Sequence, residues 1–139
     1  MQIHGSCVSR GGQGVLLLGP PGSGKSDLAL RLLARGFDLV ADDQVLIAEG
    51  LARAPTSLAG LLEVRGLGIV RLPRVAEARL ALVVELGVGQ RLPQPDRFGE
   101  LALPRVCVEA GAASAPERVV LALDCALGQV TQVAGAFAA

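Results

Sequence analysis

The chain has 139 residues, and its thirteen basic and thirteen acidic side chains leave a formal net charge of zero. That balance excludes a nucleic-acid binder, whose phosphate contacts need a basic excess, and a polybasic membrane-surface protein. With 51% hydrophobic and 19% charged residues, the composition predicts one folded domain over 1–139 rather than a disordered segment.

The predicted elements run as follows. Met1 to Arg10 reads as one short strand and Gly11 to Gly14 as a turn. Val15 to Leu18 is a continuous apolar run, as expected for a strand buried on both faces. Gly19 to Gly24 is too rich in Gly and Pro to be regular. From Ser26 the pattern turns helical: Leu28 and Leu32, and Ala29 and Leu33, are four apart, while Arg31 and Arg35 face outward. Gly36 closes that helix. Phe37 to Ala41 is a second apolar strand that ends on Asp42-Asp43.

Gln44 to Ala48 and Leu51 to Ala54 flank Glu49-Gly50 as a hairpin. Leu62 to Gly68 is a strand and turn, Leu80 to Leu86 a strong strand, and Arg105 to Glu109 a shorter one. Gln90 to Pro104 reads as a loop. Ser114 and Glu117 have capping-box spacing, which predicts a helix to about Leu127. Gln129 to Ala139 reads as a weaker helical tail. Cys7, Cys107 and Cys125 are expected to be small buried hydrophobes in a reducing cytosol. No opening signal segment and no apolar run of roughly 18 residues is found, so a cytoplasmic chain without a membrane span is expected.

Gly19-Pro20-Pro21-Gly22-Ser23-Gly24-Lys25-Ser26 matches G-x-x-x-x-G-K-[ST] in full, between a strand and a helix. Glycines let successive backbone N–H groups face phosphate oxygens, and the helix N-terminus adds positive potential. Lys25, the only lysine in the chain, is expected to reach the outer phosphates of ATP, and the Ser26 hydroxyl to ligate Mg²⁺. Of Asp42 and Asp43, one carboxylate can orient the Mg²⁺ shell and the other can accept a proton from an attacking hydroxyl. By itself Leu62-Glu63-Val64-Arg65-Gly66-Leu67-Gly68 is an ordinary strand and turn, and the lone His4 is an incidental residue.

Taken together, Ile3-His4-Gly5, Gly14 to Asp43 and Leu62 to Gly68 resemble the catalytic domain of the HPr kinase/phosphorylase family. The chain looks most like the short alpha-proteobacterial form, which lacks the family's N-terminal domain. The resemblance implies an α/β phosphate-loop kinase core of the HPr kinase and PEP-carboxykinase-like type, a mixed sheet with flanking helices. It also implies an ATP- and Mg²⁺-dependent serine kinase whose protein substrate is an HPr-type phosphocarrier, with a homo-oligomer possible. In that frame Asp43 is the proton acceptor, His4 is the active-site histidine, Glu63 joins Ser26 as a Mg²⁺ ligand, and Asp42 makes a water-mediated contact. A further family arginine corresponds to Arg91, with Arg97 as the alternative. The family's Pro-Gly-Arg-Asn-like segment is only faintly present in Glu109 to Arg118, which leaves the phosphorylase direction in doubt. The other readings are a phosphate-loop kinase of a small metabolite and a non-catalytic ATP-sensing module.

Overall fold

The computed structural model describes residues 1–138. The opening stretch forms two strands, β1 (Gln2–His4) and β2 (Ser6–Arg10), rather than the single strand the pattern predicts. The break falls at Gly5, which passes so close to β3 (Gln13–Leu18) that an added Cβ would lie 2.8 Å from the Leu17 carbonyl oxygen. Only Gly11 and Gly12, both at positive φ, form the next turn. Gly14 belongs to β3.

α1 (Lys25–Leu33) buries Leu28, Ala29 and Leu32. It ends as expected: Gly36 sits at φ +89°, and the Phe37 N–H reaches back to the Leu32 carbonyl at 3.2 Å. Arg35 is exposed, but Arg31 is half-buried and donates to the Ala110 and Ala112 carbonyls. Next come β4 (Asp38–Ala41), β5 (Gln44–Ala48) and β6 (Leu51–Arg53). Glu49 and Gly50 (φ 53° and 78°) make the tight hairpin turn between β5 and β6.

Beyond a 3₁₀ turn at Thr56–Leu58 lie β7 (Leu61–Val64), β8 (Gly68–Arg71), β9 (Ala78–Leu86), β10 (Arg97–Phe98), β11 (Leu103–Val108) and α2 (Ala115–Ala126). The predicted loop Gln90 to Pro104 therefore contains a strand. β10 pairs with β11 because Phe98 and Leu103 face each other and both pack on the core. α2 begins where predicted but without the capping box. The Ser114 hydroxyl instead accepts a hydrogen bond from Arg118, and Glu117 pairs with Arg35. Residues 129–138 are turns and bends, not the predicted helical tail. Gly135, at positive φ, interrupts the segment, and Phe137 packs it against the core. Ala139 lies outside the described residues.

β9 is central. It pairs in parallel with β3 on one side; on the other it meets β6 antiparallel near its start and β11 in parallel near its end. The main path runs β1-β5-β6-β9-β3-β2-β4, and β7–β8 is a separate two-stranded sheet. The fold is thus a mixed α/β one, as expected. Two apolar cores result. Val15 and Leu17 face one, with α1 and α2; Leu16 and Leu18 face the other, with Val45 and Ile47 of β5.

Bulges shift the alternation twice. Opposite Gly14 and Val15, β9 carries the extra residue Ala81, and opposite Cys7 and Val8, β4 carries the extra residue Val40. As a result the consecutive Val40 and Ala41 both join the second core, while Leu39 joins the first. Cys7 is buried in that second core, but Cys107 is exposed and Cys125 half-buried, so only the first behaves as predicted. Among the described residues no helix is long and apolar enough to cross a membrane.

Candidate active site

The strand β3 delivers the chain into the Gly19–Gly24 loop, and α1 leads it away. Gly22 and Gly24 hold φ +80° and +99°, a conformation L side chains rarely adopt, and an added Cβ on Gly24 would meet Ala110 at 3.2 Å. The loop is tightened by the Ser23 N–H donating to the Pro20 carbonyl at 3.1 Å. Lys25 is only 8% exposed, and its ammonium donates back to the Gly19 and Pro20 carbonyls at 2.7 and 3.1 Å. A cation, a helix N-terminus and a glycine-rich loop therefore meet at one point, which suits a phosphate chain.

Asp42 follows the last residue of β4 and is 5% exposed. Its carboxylate accepts hydrogen bonds from the Ser26 hydroxyl (2.9 and 3.0 Å to the two oxygens) and from the Ser6 hydroxyl (2.6 Å). It also accepts a longer one from the Glu63 N–H, at 3.4 Å. The hub joins β2, α1, β4 and β7. Ser6 was not legible as a site residue, because a serine in a strand is ordinary until the pairing of β2 with β4 sets it against Asp42.

Asp43 is exposed and holds φ +71°, a left-handed conformation uncommon for any residue but glycine. The Gly5 N–H donates to its carbonyl at 3.1 Å, which ties the kink between β1 and β2 to this corner. His4 pairs across the sheet with Gln44, and this carries its Nδ1 to 3.4 Å from the Asp43 carboxylate.

A cleft of about 550 Å³ gathers these groups: Lys25 and Ser26 with the loop residues Pro21 to Gly24, then Asp42, Asp43, His4, Ser6, Glu63 and Arg65. The structure does not bring in Arg91 or Arg97. Both are exposed in the segment after β9; Arg97 donates to the Ala102 carbonyl and lines a different hollow. The arginine at the cleft is Arg65, two residues past Glu63, where the chain leaves β7. The β7 pattern places both on one face, and that spacing was the available signal.

The donor chemistry fits Mg²⁺. Ser26, Asp42 and Glu63 offer only oxygen, and one or two carboxylates completed by phosphate oxygens and water is the usual holding set for that ion. The glycine loop with Lys25 fits the phosphates themselves.

Comparison with known proteins identifies the family and the fold. A family model described as HPr Serine kinase C-terminal domain matches residues 1–100. The chain is 39% identical over 109 residues to HPr kinase/phosphorylase 1 of Oceanobacillus iheyensis, covering 70% of this chain and 35% of that protein. It is 36% identical over 127 residues to the HPr kinase/phosphorylase of Geobacillus thermodenitrificans, covering 76% and 41%. The chain thus spans about two fifths or less of the length of these relatives. Among solved structures, the HPr(Ser) kinase/phosphatase from Coxiella burnetii superposes with a TM-score of 0.72 at 20% identity, over 88% of this chain and 87% of that one.

Proposed function

The chain belongs to the HPr Serine kinase C-terminal domain family, and from that premise we propose that it transfers the γ-phosphoryl group of ATP to a serine of an HPr-type phosphocarrier. The observation that carries the proposal is the convergence of Lys25, Ser26, Asp42, Asp43, Glu63 and His4 on one cleft at the glycine loop. No lid or second domain is needed for a protein acceptor, whose own surface can cover the cleft.

In this reading the amides of Gly22, Gly24, Lys25 and Ser26 and the Lys25 ammonium bind the β- and γ-phosphates, at a helix N-terminus that favours their charge. Ser26 and Glu63, with Asp42 behind Ser26, would hold Mg²⁺, which neutralises phosphate charge when bound. Asp43, at the open side of the cleft, accepts the proton of the acceptor serine. The serine oxygen then forms its bond to the γ-phosphorus as the bond to the β,γ-bridging oxygen breaks, leaving ADP. His4 beside Asp43 holds that carboxylate in place. Arg65 at the rim is the guanidinium best placed to meet charge on the transferring group.

The test is transfer of labelled γ-phosphate from ATP to purified HPr. Asp43→Asn is expected to slow transfer by roughly 10²–10⁴-fold while nucleotide binding persists, as for loss of a general base. A variant with wild-type rate removes Asp43 from that role, and a wild-type chain that phosphorylates only a small molecule overturns the protein acceptor.

A further inference from the structure

Ser6 is the first residue of β2 and is 1% exposed. Its hydroxyl reaches into the cleft and donates to Oδ1 of Asp42 at 2.6 Å, a short contact of the charge-assisted kind. The same carboxylate takes the Ser26 hydroxyl on both oxygens and the Glu63 N–H on Oδ2. Ser26 has one proton to give. While Asp42 accepts it, the lone pairs of the Ser26 oxygen are free for a cation; if the carboxylate rotates away, that proton competes for the same space. Rotation of an aspartate about its outer torsion is broad and roughly two-fold, so the side chain does not hold itself. Among the described residues, Ser6 is the one donor to Oδ1 besides Ser26. A backbone amide at 3.4 Å is too weak to fix the other oxygen alone.

We propose that Ser6 is a positioning residue: it sets the orientation of the Asp42 carboxylate and, through Asp42, prepares the Ser26 hydroxyl to receive Mg²⁺. The inference rests on the Mg²⁺-ATP reading of the cleft. Ser6 touches neither phosphate nor metal in this scheme. Its effect appears as metal dependence, whereas a serine that merely satisfied a buried acceptor would affect stability alone.

The test compares Ser6→Val with Ser6→Thr, two side chains of one shape that differ in carrying a methyl or a hydroxyl. Binding of a fluorescent ATP analogue is measured against Mg²⁺ concentration with no acceptor protein present, and again with the metal chelated. Ser6→Val is expected to need roughly 10–100-fold more Mg²⁺, the usual loss when a partner of a metal ligand is removed. Its metal-free nucleotide affinity should match that of the wild type, and Ser6→Thr should restore the Mg²⁺ midpoint. Equal midpoints for the two variants, beside a wild-type chain that responds to Mg²⁺, overturn the role of Ser6 and leave the reading of the cleft intact. An equal loss with and without the metal also overturns it, because the defect would then lie in the loop. A wild-type chain that gains no nucleotide affinity from Mg²⁺ overturns the reading and this inference together. Ser6→Ala, which adds no bulk to the buried position, repeats the comparison against wild type if the valine does not fold.

Discussion

At the scale of the residue, Lys25 carries the most weight. It is nearly buried, donates to its own loop at two carbonyls, and is the only lysine among thirteen basic residues. Lys25→Met is expected to lower phosphoryl transfer by at least about 100-fold, the scale for loss of one preorganised charge donor. Lys25→Arg should not rescue it, because a planar guanidinium is larger and cannot turn in the space an ammonium occupies. Labelled-phosphate transfer checks both. Cys7 makes a second prediction. Burial pushes its thiol from an ordinary 9.0 up to about 12. Between those values the unfolded chain has lost the proton and the folded chain keeps it, so this contribution is fully present below 9 and is lost as pH rises toward 12. Urea melts at about pH 8 and about pH 10 should show the wild type losing more stability than Cys7→Ala. In the folded chain an alkylating reagent should label the exposed Cys107 well before Cys7.

At the scale of the element, two glycines hold the site in shape. Gly24→Ala would place a Cβ at φ +99° and 3.2 Å from Ala110, and should cost about 1–2 kcal/mol. Gly5→Ala would set a Cβ 2.8 Å from a backbone oxygen of β3, which cannot yield as a side chain can, and should cost about 1–3 kcal/mol. Thermal melts check both, and the Gly5 variant should also displace His4 from Asp43. These elements differ in how far the sequence declares them. The glycine loop and the Lys25-Ser26 that follow it are eight contiguous residues, so their pattern is readable without any tertiary contact. The turn of β5 into β6 is equally local. Ser6 is not, because its role exists only through the alignment of β2 with β4. The helical tail expected over 129–139 failed, within the described residues, for the opposite reason: its composition allows a helix, and Gly135 at positive φ with the anchored Phe137 breaks it. The capping box at Ser114 was lost to competitors, Arg35 and Arg118, that no spacing rule includes.

At the scale of the whole molecule, the two cores have separate tasks. The first packs α1 and α2 on the sheet, and Leu123 of α2 is fully buried in it. Leu123→Ala is expected to destabilise the fold by about 2–5 kcal/mol, read as a lower melting temperature, with little change in Mg²⁺ or nucleotide affinity of the folded fraction. The second core lies beneath β1, β5 and the end of β4, so it supports the corner that carries His4, Asp42 and Asp43. The mixed sheet was readable only through the family resemblance; the apolar runs by themselves gave strands and helices. The order of the sheet was not readable, since β11 lies beside β9 and β1 beside β5 through long-range pairing. The unopposed Val40 of β4 has a consequence for how the chain can change in length. Val40 and Ala41 face the same core, so together they count as one residue against β2, and Val8 still meets Leu39 as Cys7 meets Ala41. Removing Val40 would therefore close a regular register and leave Asp42 on the side of the sheet that carries Ser6 and Ser26. The strand before the acidic pair can thus lose this one residue without turning the Asp42 carboxylate away from the glycine loop.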